Sequence, residues 1–341
     1  MMTTMRRPLL ALLCLGAIGC FPDWDLLDPS KSAATGGGGS GGVSTGGGMG
    51  GAGGSASGVG GTASGVGGSE GGGGMEPLGP WSDPVIVAEL ADPEDDDDPS
   101  MTADGLEVFI NSHRNGNGTG ADIWVAKRAT RNDLWGPPEI VAELSSPNTE
   151  TNHNVSPDGL TMWLLSDRDD PTASLLMYVS TRLDRDSPWS TPVVETNLES
   201  QNINDVGGVT SDGLLLLGHL NVMDVSSELV MLERATTSAP WGMAMTIDEL
   251  NSASGDSECW LHPAGTAIFF GSNRTGTLGS TDLWSSERNA IDEAWGAVVH
   301  EELLNTTTTD SDPTLTADLR YILFARPVGT DDKREIFEAS R

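Results

Sequence analysis

The residues best suited to chemistry in this sequence are acidic, and they recur once in each copy of an internal repeat. Nine positions before a recurring tight turn, the copies carry Asp96, Glu150, Asn204, Asp256 and Asp310. His153 follows Glu150 by three residues. More acid flanks these positions, at Glu94, Asp95, Asp97, Asp98, Glu258 and Asp312. Clustered carboxylates can accept structural hydrogen bonds, bind cations or transfer protons.

Three interpretations of the repeat acids are open from the sequence. In the first, each carboxylate accepts backbone N–H bonds or pairs with a neighbouring segment, as Asp and Asn commonly do at turns. In the second, a cation such as Ca²⁺ is bound by Asp96, Glu150, Asp256 and Asp310, without the spacing of an EF-hand loop. No other cofactor is indicated. The candidate ligand-binding residues are Asp96, Glu150, His153, Asn204, Asp256 and Asp310.

In the third interpretation, Asp96, Glu150 and Asp256 are the catalytic set of a glycoside hydrolase, because paired carboxylates of unequal pKa can cleave glycosidic bonds. Two features argue against it. The acids recur at equivalent repeat positions, whereas a catalytic set usually breaks repeat symmetry. Aromatic side chains for stacking on sugars are scarce, since most Trp residues occupy repeat positions, and Trp163 and Trp260 are exceptions. We therefore expect binding rather than catalysis.

The elements that must position these acids are the strands of the repeat. A turn of the type Ser156-Pro157-Asp158-Gly159, followed by an apolar run, occurs five times. Five Trp residues lie 24 positions before these turns and are separated by 54, 54, 52 and 54 residues, at Trp81, Trp135, Trp189, Trp241 and Trp295. A repeat of this length, rich in short strands, is typical of a propeller blade.

Each copy offers four strand candidates, so residues 81–341 are predicted to form an all-β domain, a five-bladed β-propeller of four-stranded antiparallel blades. The last copy lacks its own fourth strand. The segment 82–90 is predicted to pair beside 334–341, so that the N-terminal strand closes the ring without an exposed edge. Connections into the innermost strands lie at one end of the channel, where the acids are expected to surround the mouth.

The pattern after each turn resembles the WD-like repeat of TolB-type propellers over residues 81–341. It is an apolar strand, Ser-x-Arg, a Gly-rich turn and an Asp-aliphatic-aromatic triplet, as in Ser112-His113-Arg114 with Asp122-Ile123-Trp124. The third copy departs from it with Gly218-His219-Leu220, which puts the Arg-Asp pairing of that blade in doubt. TolB proteins carry six blades and another domain, so the resemblance implies the blade type and not the function. Five-bladed hydrolases of arabinan and xylan are similar in placing acids at the channel mouth.

The N-terminal residues resemble a bacterial lipoprotein signal. Arg6 and Arg7 precede an almost wholly apolar segment, and Ala17-Ile18-Gly19-Cys20 places small residues before a cysteine. The resemblance implies that residues 1–19 are removed and that Cys20 is lipidated. An ordinary secretory signal with an incidental cysteine is the alternative.

Residues 20–80 are predicted to be a flexible Gly/Ser-rich tether. Together these features predict an exported, lipid-anchored protein of the cell envelope, on its periplasmic or surface side. The formal net charge is −32, which argues against nucleic acid and anionic lipid as partners. We expect a monomer whose channel mouth binds a protein or a glycan, with a carboxylate-dependent hydrolase as the alternative function.

Overall fold

The structure, a computed structural model, describes residues 77–341 except 115–119, 171, 173, 223–225 and 331–332. The predicted signal peptide, Cys20 and nearly all of the predicted tether lie outside the described residues. Within the described ranges, no helix is long and apolar enough to cross a membrane.

The described residues form a five-bladed β-propeller of four-stranded antiparallel blades, as predicted. After β1 (Val85–Ile86), blade one contains β2 (Asp96–Met101), β3 (Glu107–Ser112), β4 (Asp122–Lys127) and β5 (Glu139–Ile140). Blade two contains β6 (Glu150–Val155), β7 (Thr161–Ser166), β8 (Leu176–Thr181) and β9 (Val193–Val194), and the short helix α1 (Thr196–Glu199) follows it. Blade three contains β10 (Ile203–Val209), β11 (Leu215–Val222), β12 (Ser226–Glu233) and β13 (Met245–Thr246). Blade four contains β14 (Asp256–Leu261), β15 (Ala267–Ser272), β16 (Asp282–Glu287) and β17 (Val299–His300). Blade five contains β18 (Ser311–Leu315), β19 (Tyr321–Val328) and β20 (Lys333–Ser340).

The N-terminal strand closes the ring, which confirms the predicted pairing. Strand β1 pairs antiparallel with β20, with Val85 opposite Glu338 and Ile86 opposite Phe337. The innermost strands β2, β6, β10, β14 and β18 each contact the next around the channel, and β18 contacts β2. Closure therefore joins the two ends of the domain and leaves no blade incomplete.

The hydrophobic core lies between adjacent blades. One cluster joins Phe109 and Ile123 of blade one to Met162 and Leu164 of blade two, and all four are fully buried. Four further clusters contain residues of the other adjacent blade pairs. Each blade thus buries both of its faces, which explains why its inner strands are apolar on both sides.

A stacked arginine links the recurring turn to a Trp ring in every blade. In blade one, the Arg128 guanidinium lies 4.0 Å from the centroid of the Trp135 ring, and its Nε donates to the carbonyl oxygen of the turn residue Gly105 at 2.7 Å. The same contacts recur in the other blades. The contact that closes the ring is of the same kind: Arg341, next to the C-terminal end of β20, stacks on Trp81 at 4.2 Å. The recurring turns are therefore structural.

Candidate functional site at the mouth of the central channel

Four of the five repeat positions carry acids that lie inside the blades, where each pairs with an arginine of its own blade. Their side chains have no exposed surface, at Asp96, Glu150, Asp256 and Asp310. Arg114 lies 2.6 Å from Asp96, and the equivalent distances in blades two, four and five are 3.2, 2.5 and 2.5 Å. This placement differs from the expected position at the channel mouth, because each arginine encloses its carboxylate. The assignment of these acids as ligand-binding residues stays a prediction.

Each pair fixes the loop that leads into the innermost strand. In blade one, Arg114 Nη2 donates to the carbonyl oxygen of Leu90 at 2.7 Å, and Asp96 Oδ2 accepts from the backbone N–H of Asp92 at 2.9 Å. The same two contacts recur in blades two, four and five. Burial raises the pKa of three of these carboxyl groups, while hydrogen bonds and the arginine charge oppose the rise, at Asp96, Glu150 and Asp310. The first interpretation, a structural acceptor, describes these contacts.

In blade three, a short helix instead of an arginine fixes the loop that leads into the innermost strand. Ile203 faces Leu220 where Asp96 faces Ser112 in blade one, so Leu220 corresponds to the serine of Ser-x-Arg rather than to its arginine. Asn204 is half-buried at the strand irregularity that follows. The carbonyl oxygen of Leu198, in α1, accepts from the N–H of Gln201 at 3.0 Å. A helical turn therefore satisfies the backbone group that an arginine satisfies elsewhere.

A β-bulge in each of the other four innermost strands brings a second set of polar residues to the channel. The bulge residues lie two positions after the buried acids and have φ values of 47°, 44°, 49° and 55°, at Asp98, Asn152, Glu258 and Asp312. Asp and Asn tolerate this left-handed region better than most residue types. A bulge shifts the alternation of side chains by one residue, so the side chains after it point to the opposite face.

These residues surround a cavity of about 30 Å³ at the mouth of the channel. Every blade contributes at least one polar residue to its wall, and blade two contributes three. These residues are Asp98, Asn152, His153, Asn154, Asp205, Glu258 and Asp312. A water molecule needs about 10–15 Å³ of such space. The cavity therefore has room for one or two water molecules or for a metal ion.

The mouth carries a large excess of negative charge, which we call the channel acid cluster: Asp97, Asp98, Asp205, Glu258 and Asp312. Arg334 is the cation that contacts it, with Nη1 2.8 Å from Asp97 Oδ2 and 3.1 Å from Asp312 Oδ2. Asp98 Oδ2 instead accepts from Asn111 Nδ2 at 2.9 Å, and from Thr151 and Asn152 of the next blade. Five carboxyl groups thus face one guanidinium group.

Burial makes four carboxyl groups of the cluster weaker acids than usual by raising their pKa, at Asp97, Asp205, Glu258 and Asp312. Burial and the charge of Asp98 raise the pKa of Asp97 to about 7, and the Arg334 charge opposes the rise. Burial likewise raises the pKa of Asp205, Glu258 and Asp312, and neighbouring carboxylates add to the rise. An uncompensated carboxylate in such a site favours the uptake of a proton or of a cation.

Two buried groups at the mouth lack hydrogen-bond partners within the described part of the chain. His153, with 4% of its surface exposed, lines the cavity, and both its ring nitrogens are unpartnered. The backbone carbonyl of Phe109 lies near the ring but outside hydrogen-bond geometry. Glu258 Oε2 is also buried and unpartnered. Burial lowers the pKa of His153, although the nearby Asp98 charge opposes this, so the imidazole is neutral and one nitrogen can accept a hydrogen bond.

The acids that the structure brings together are ones that the sequence analysis named only as flanking the repeat positions. Among the described residues, the acids whose carboxylate oxygens lie within 4.8 Å of one another are Asp97, Asp98 and Asp312, and none of the four predicted calcium ligands is in this group. Asp205 and Arg334 were missed. Of the predicted ligand-binding residues, His153 alone lines the cavity. The sequence does set two of these acids apart, because Asp98 and Asp312 are each followed by a proline, Pro99 and Pro313.

Solved structures with this fold belong to proteins of different kinds. The chain is similar to TolB from Acinetobacter baumannii, with 15% identity and a TM-score of 0.44 over 74% of this chain and 56% of that chain. It is similar to the catalytic domain of a GH62 alpha-L-arabinofuranosidase from Coprinopsis cinerea, with 12% identity and a TM-score of 0.48 over 77% and 97% of the two chains. The xyloglucan PUL protein GH43B from Bacteroides ovatus gives 12% identity and a TM-score of 0.49 over 75% and 53%.

The propeller fold of this chain follows from its own strand pairing. This chain spans 56% of the TolB chain. No protein-family model matches the chain, and no curated protein matches it.

Proposed function

We propose that this protein is an exported, lipid-anchored β-propeller that acts as a binding module at the cell envelope, with the channel mouth as its binding face. The channel acid cluster supports this proposal, because its five carboxyl groups share one guanidinium group and the approach of a basic group would favour their ionised form. A protein partner with basic side chains would complement it. The acidic balance of the whole chain favours the same class of partner.

Catalysis by Asp96, Glu150 and Asp256 has less support. A glycoside hydrolase needs two carboxyl groups that flank the scissile bond of a bound sugar. These three side chains are fully buried, each against an arginine of its own blade. No Trp, Tyr or Phe of the described ranges is exposed enough to form a stacking platform, since Trp163 and Trp260 are buried at 5% and 6% exposure.

A comparison of two faces tests the binding role. Glu94 is exposed in the loop that leads into β2, on the mouth side, and Asp186 is exposed on the opposite face, in a loop beside the turn at Asp158. Residues 77–341 would be used to capture proteins from an envelope extract. We expect Glu94→Lys to release partners that Asp186→Lys still binds. A captured set that is identical for both variants and the wild type would argue against the mouth as the binding face.

A hydrolysis screen tests the enzyme alternative directly. Residues 77–341 would be incubated with arabinan, xylan and other neutral glycans, and released reducing ends would be measured. We expect no release by the wild type. Release that disappears in Glu150→Gln, with the variant still folded, would establish the hydrolase instead.

The lipid anchor has its own test. We expect a radiolabelled fatty acid to be incorporated into the full-length protein in cells and to be absent from Cys20→Ser. Label that persists in the variant would refute anchoring through Cys20.

A further inference from the structure

The channel acid cluster has the geometry of a cation site at three of its members. The carboxylate oxygens of Asp97, Asp98 and Asp312 lie within 4.8 Å of one another. Oxygen ligands of Ca²⁺ lie about 2.3–2.6 Å from the ion, so two ligands of one ion can be no more than about 5 Å apart. The three oxygens meet this limit without any movement of the backbone.

The unpartnered groups at the mouth point to a bound species. His153 lines the same cavity, is 4% exposed and has no hydrogen-bond partner for either nitrogen among the described residues. Glu258 also lines this cavity, and its Oε2 is buried without a hydrogen-bond partner among the described residues. Buried polar atoms nearly always have a partner, which can be ordered water or an ion. Water coordinated to an ion in the cavity would donate to both groups.

The charge balance also favours a cation. Arg334 Nη1 bridges Asp97 and Asp312 and can neutralise one charge of the cluster. Among the described residues, Asp98 and Glu258 have no ion pair with a basic side chain. Asp205 lies 3.7 Å from Nδ1 of His219, but burial lowers the pKa of His219 to about 4, so this imidazole is neutral and does not compensate the carboxylate. Hard carboxylate oxygens prefer Ca²⁺, Mg²⁺ and Mn²⁺ to softer metals. A divalent ion would remove part of the repulsion that burial of several carboxylates creates.

We propose that Asp97, Asp98 and Asp312 bind a hard divalent cation, with Ca²⁺ the best fit, inside the mouth of the propeller channel. The bulges of β2 and β18 hold Asp98 and Asp312 in place, and the cavity leaves room for one or two coordinated waters. His153 and Glu258 act as acceptors for those waters. The site differs from the predicted one at Asp96, Glu150, Asp256 and Asp310, where each carboxylate has an arginine of its own, whereas Asp97 and Asp312 share Arg334 and Asp98 has no arginine partner among the described residues. It does not depend on which macromolecule the propeller binds.

Calcium titration of residues 77–341, freed of metal by a chelator, tests this site. Isothermal titration calorimetry at constant ionic strength should show one site per chain with a dissociation constant of about 1 mM or lower, the range of extracellular calcium modules. Asp98→Asn and Asp312→Asn should each weaken binding about tenfold or more. Asp212→Asn, the same change in a hairpin turn outside the cluster, should leave binding unchanged.

The outcomes separate a specific site from general attraction of ions. Absence of saturable calcium binding by the wild type would overturn the proposal, as would equal binding by the wild type and both cluster variants. Should the cluster variants fail to fold, Arg334→Met gives an independent answer. Removal of the guanidinium should strengthen calcium binding, so binding that is unchanged or weaker in folded Arg334→Met would also overturn it. Partner capture by the mouth is measured separately, so either proposal can fail without the other.

Discussion

At the residue scale, a buried carboxylate of this fold is stable because its arginine and a backbone N–H occupy its oxygens. Asp256 has no exposed surface, and Arg274 is 2.5 Å away and 14% exposed. Removal of one partner of a buried pair leaves an uncompensated charge, which typically costs about 3–5 kcal/mol. Blade three avoids this cost because neither charged residue is present there.

We expect Arg274→Met to destabilise the protein by about 3–5 kcal/mol in urea unfolding. The double variant Asp256→Asn/Arg274→Met should recover part of this loss, because it removes the uncompensated charge. Arg185→Met is the matched control, since its pair with Asp104 is 28% and 37% exposed and should contribute about 0–1 kcal/mol. A double variant less stable than Arg274→Met would contradict the role assigned to the pair.

The candidate site was only partly predictable at this scale. The spacing of the acids in the sequence is regular, and it predicted a set of acids at the end of the channel where the innermost strands begin. The spacing alone does not show which acids line the cavity, because a bulge shifts the strand alternation and places Asp98, rather than Asp96, at the cavity wall. Arg334 lies in the third strand of the last blade, more than 230 residues from Asp97, so no local pattern links the two.

At the element scale, β1 is a short strand with a large structural role. It has two residues, both exposed, yet it supplies the outer strand of blade five. Trp81, just before it, is 6% exposed, stacks on Arg341 and contacts Phe269 edge to face. The segment therefore ties the N-terminal end of the domain to blades four and five.

We expect a chain that begins at residue 92 to lose the cooperative unfolding of a chain that begins at residue 77. It exposes the edge of β20, which invites association, and loss of the Trp side chain alone typically costs about 3–5 kcal/mol. Thermal unfolding followed by circular dichroism, with size-exclusion chromatography, measures both effects. Trp81→Ala in the longer chain should give an intermediate stability. Equal melting temperatures for the two chains would show that closure contributes little.

Acid should weaken the contact between blade five and blade one. Burial favours the protonated form of Asp318, but hydrogen bonds from Arg131 and Thr316 outweigh it and lower the pKa of Asp318 to about 2. Because the folded pKa lies below the usual value of 3.8, the stabilisation is present above about pH 4 and is lost as the pH falls toward 2.

Asp318→Asn should therefore reduce the difference in stability between pH 6 and pH 3 by about 0.5–1 kcal/mol, because only part of the stabilisation is lost by pH 3 and solvent screening reduces it further. Urea unfolding at the two pH values measures it. Asp212→Asn, at the equivalent turn of blade three, is the control. An unchanged pH dependence in Asp318→Asn would show that the Arg131 pair does not couple the blades.

At the scale of the whole molecule, the repeat made the fold predictable. Trp, turn and arginine recur with nearly constant spacing because the arginine stacks on a Trp ring and donates to the turn carbonyl oxygen in every blade. The count of copies gave the blade number, and the missing last strand gave the closure. Helix α1 was not predicted, since four residues are too few for a periodic signal and its role is to satisfy backbone groups in the one blade that lacks the ion pair.

The charge of the whole molecule predicts a response to salt that is separate from calcium binding. Residues 81–341 carry 45 acidic and 15 basic side chains, and repulsion among exposed charges destabilises a compact state. The Debye length falls from about 30 Å at 0.01 M salt to about 10 Å at 0.1 M. We therefore expect the melting temperature of the metal-free domain to rise with NaCl over this range.

Asp98→Asn should show the same rise with NaCl, because it changes one charge among many. A rise in melting temperature caused by calcium at constant ionic strength should occur only in chains that retain the channel acid cluster. A melting temperature that falls with NaCl would indicate that attractive ion pairs between the blades outweigh the net repulsion.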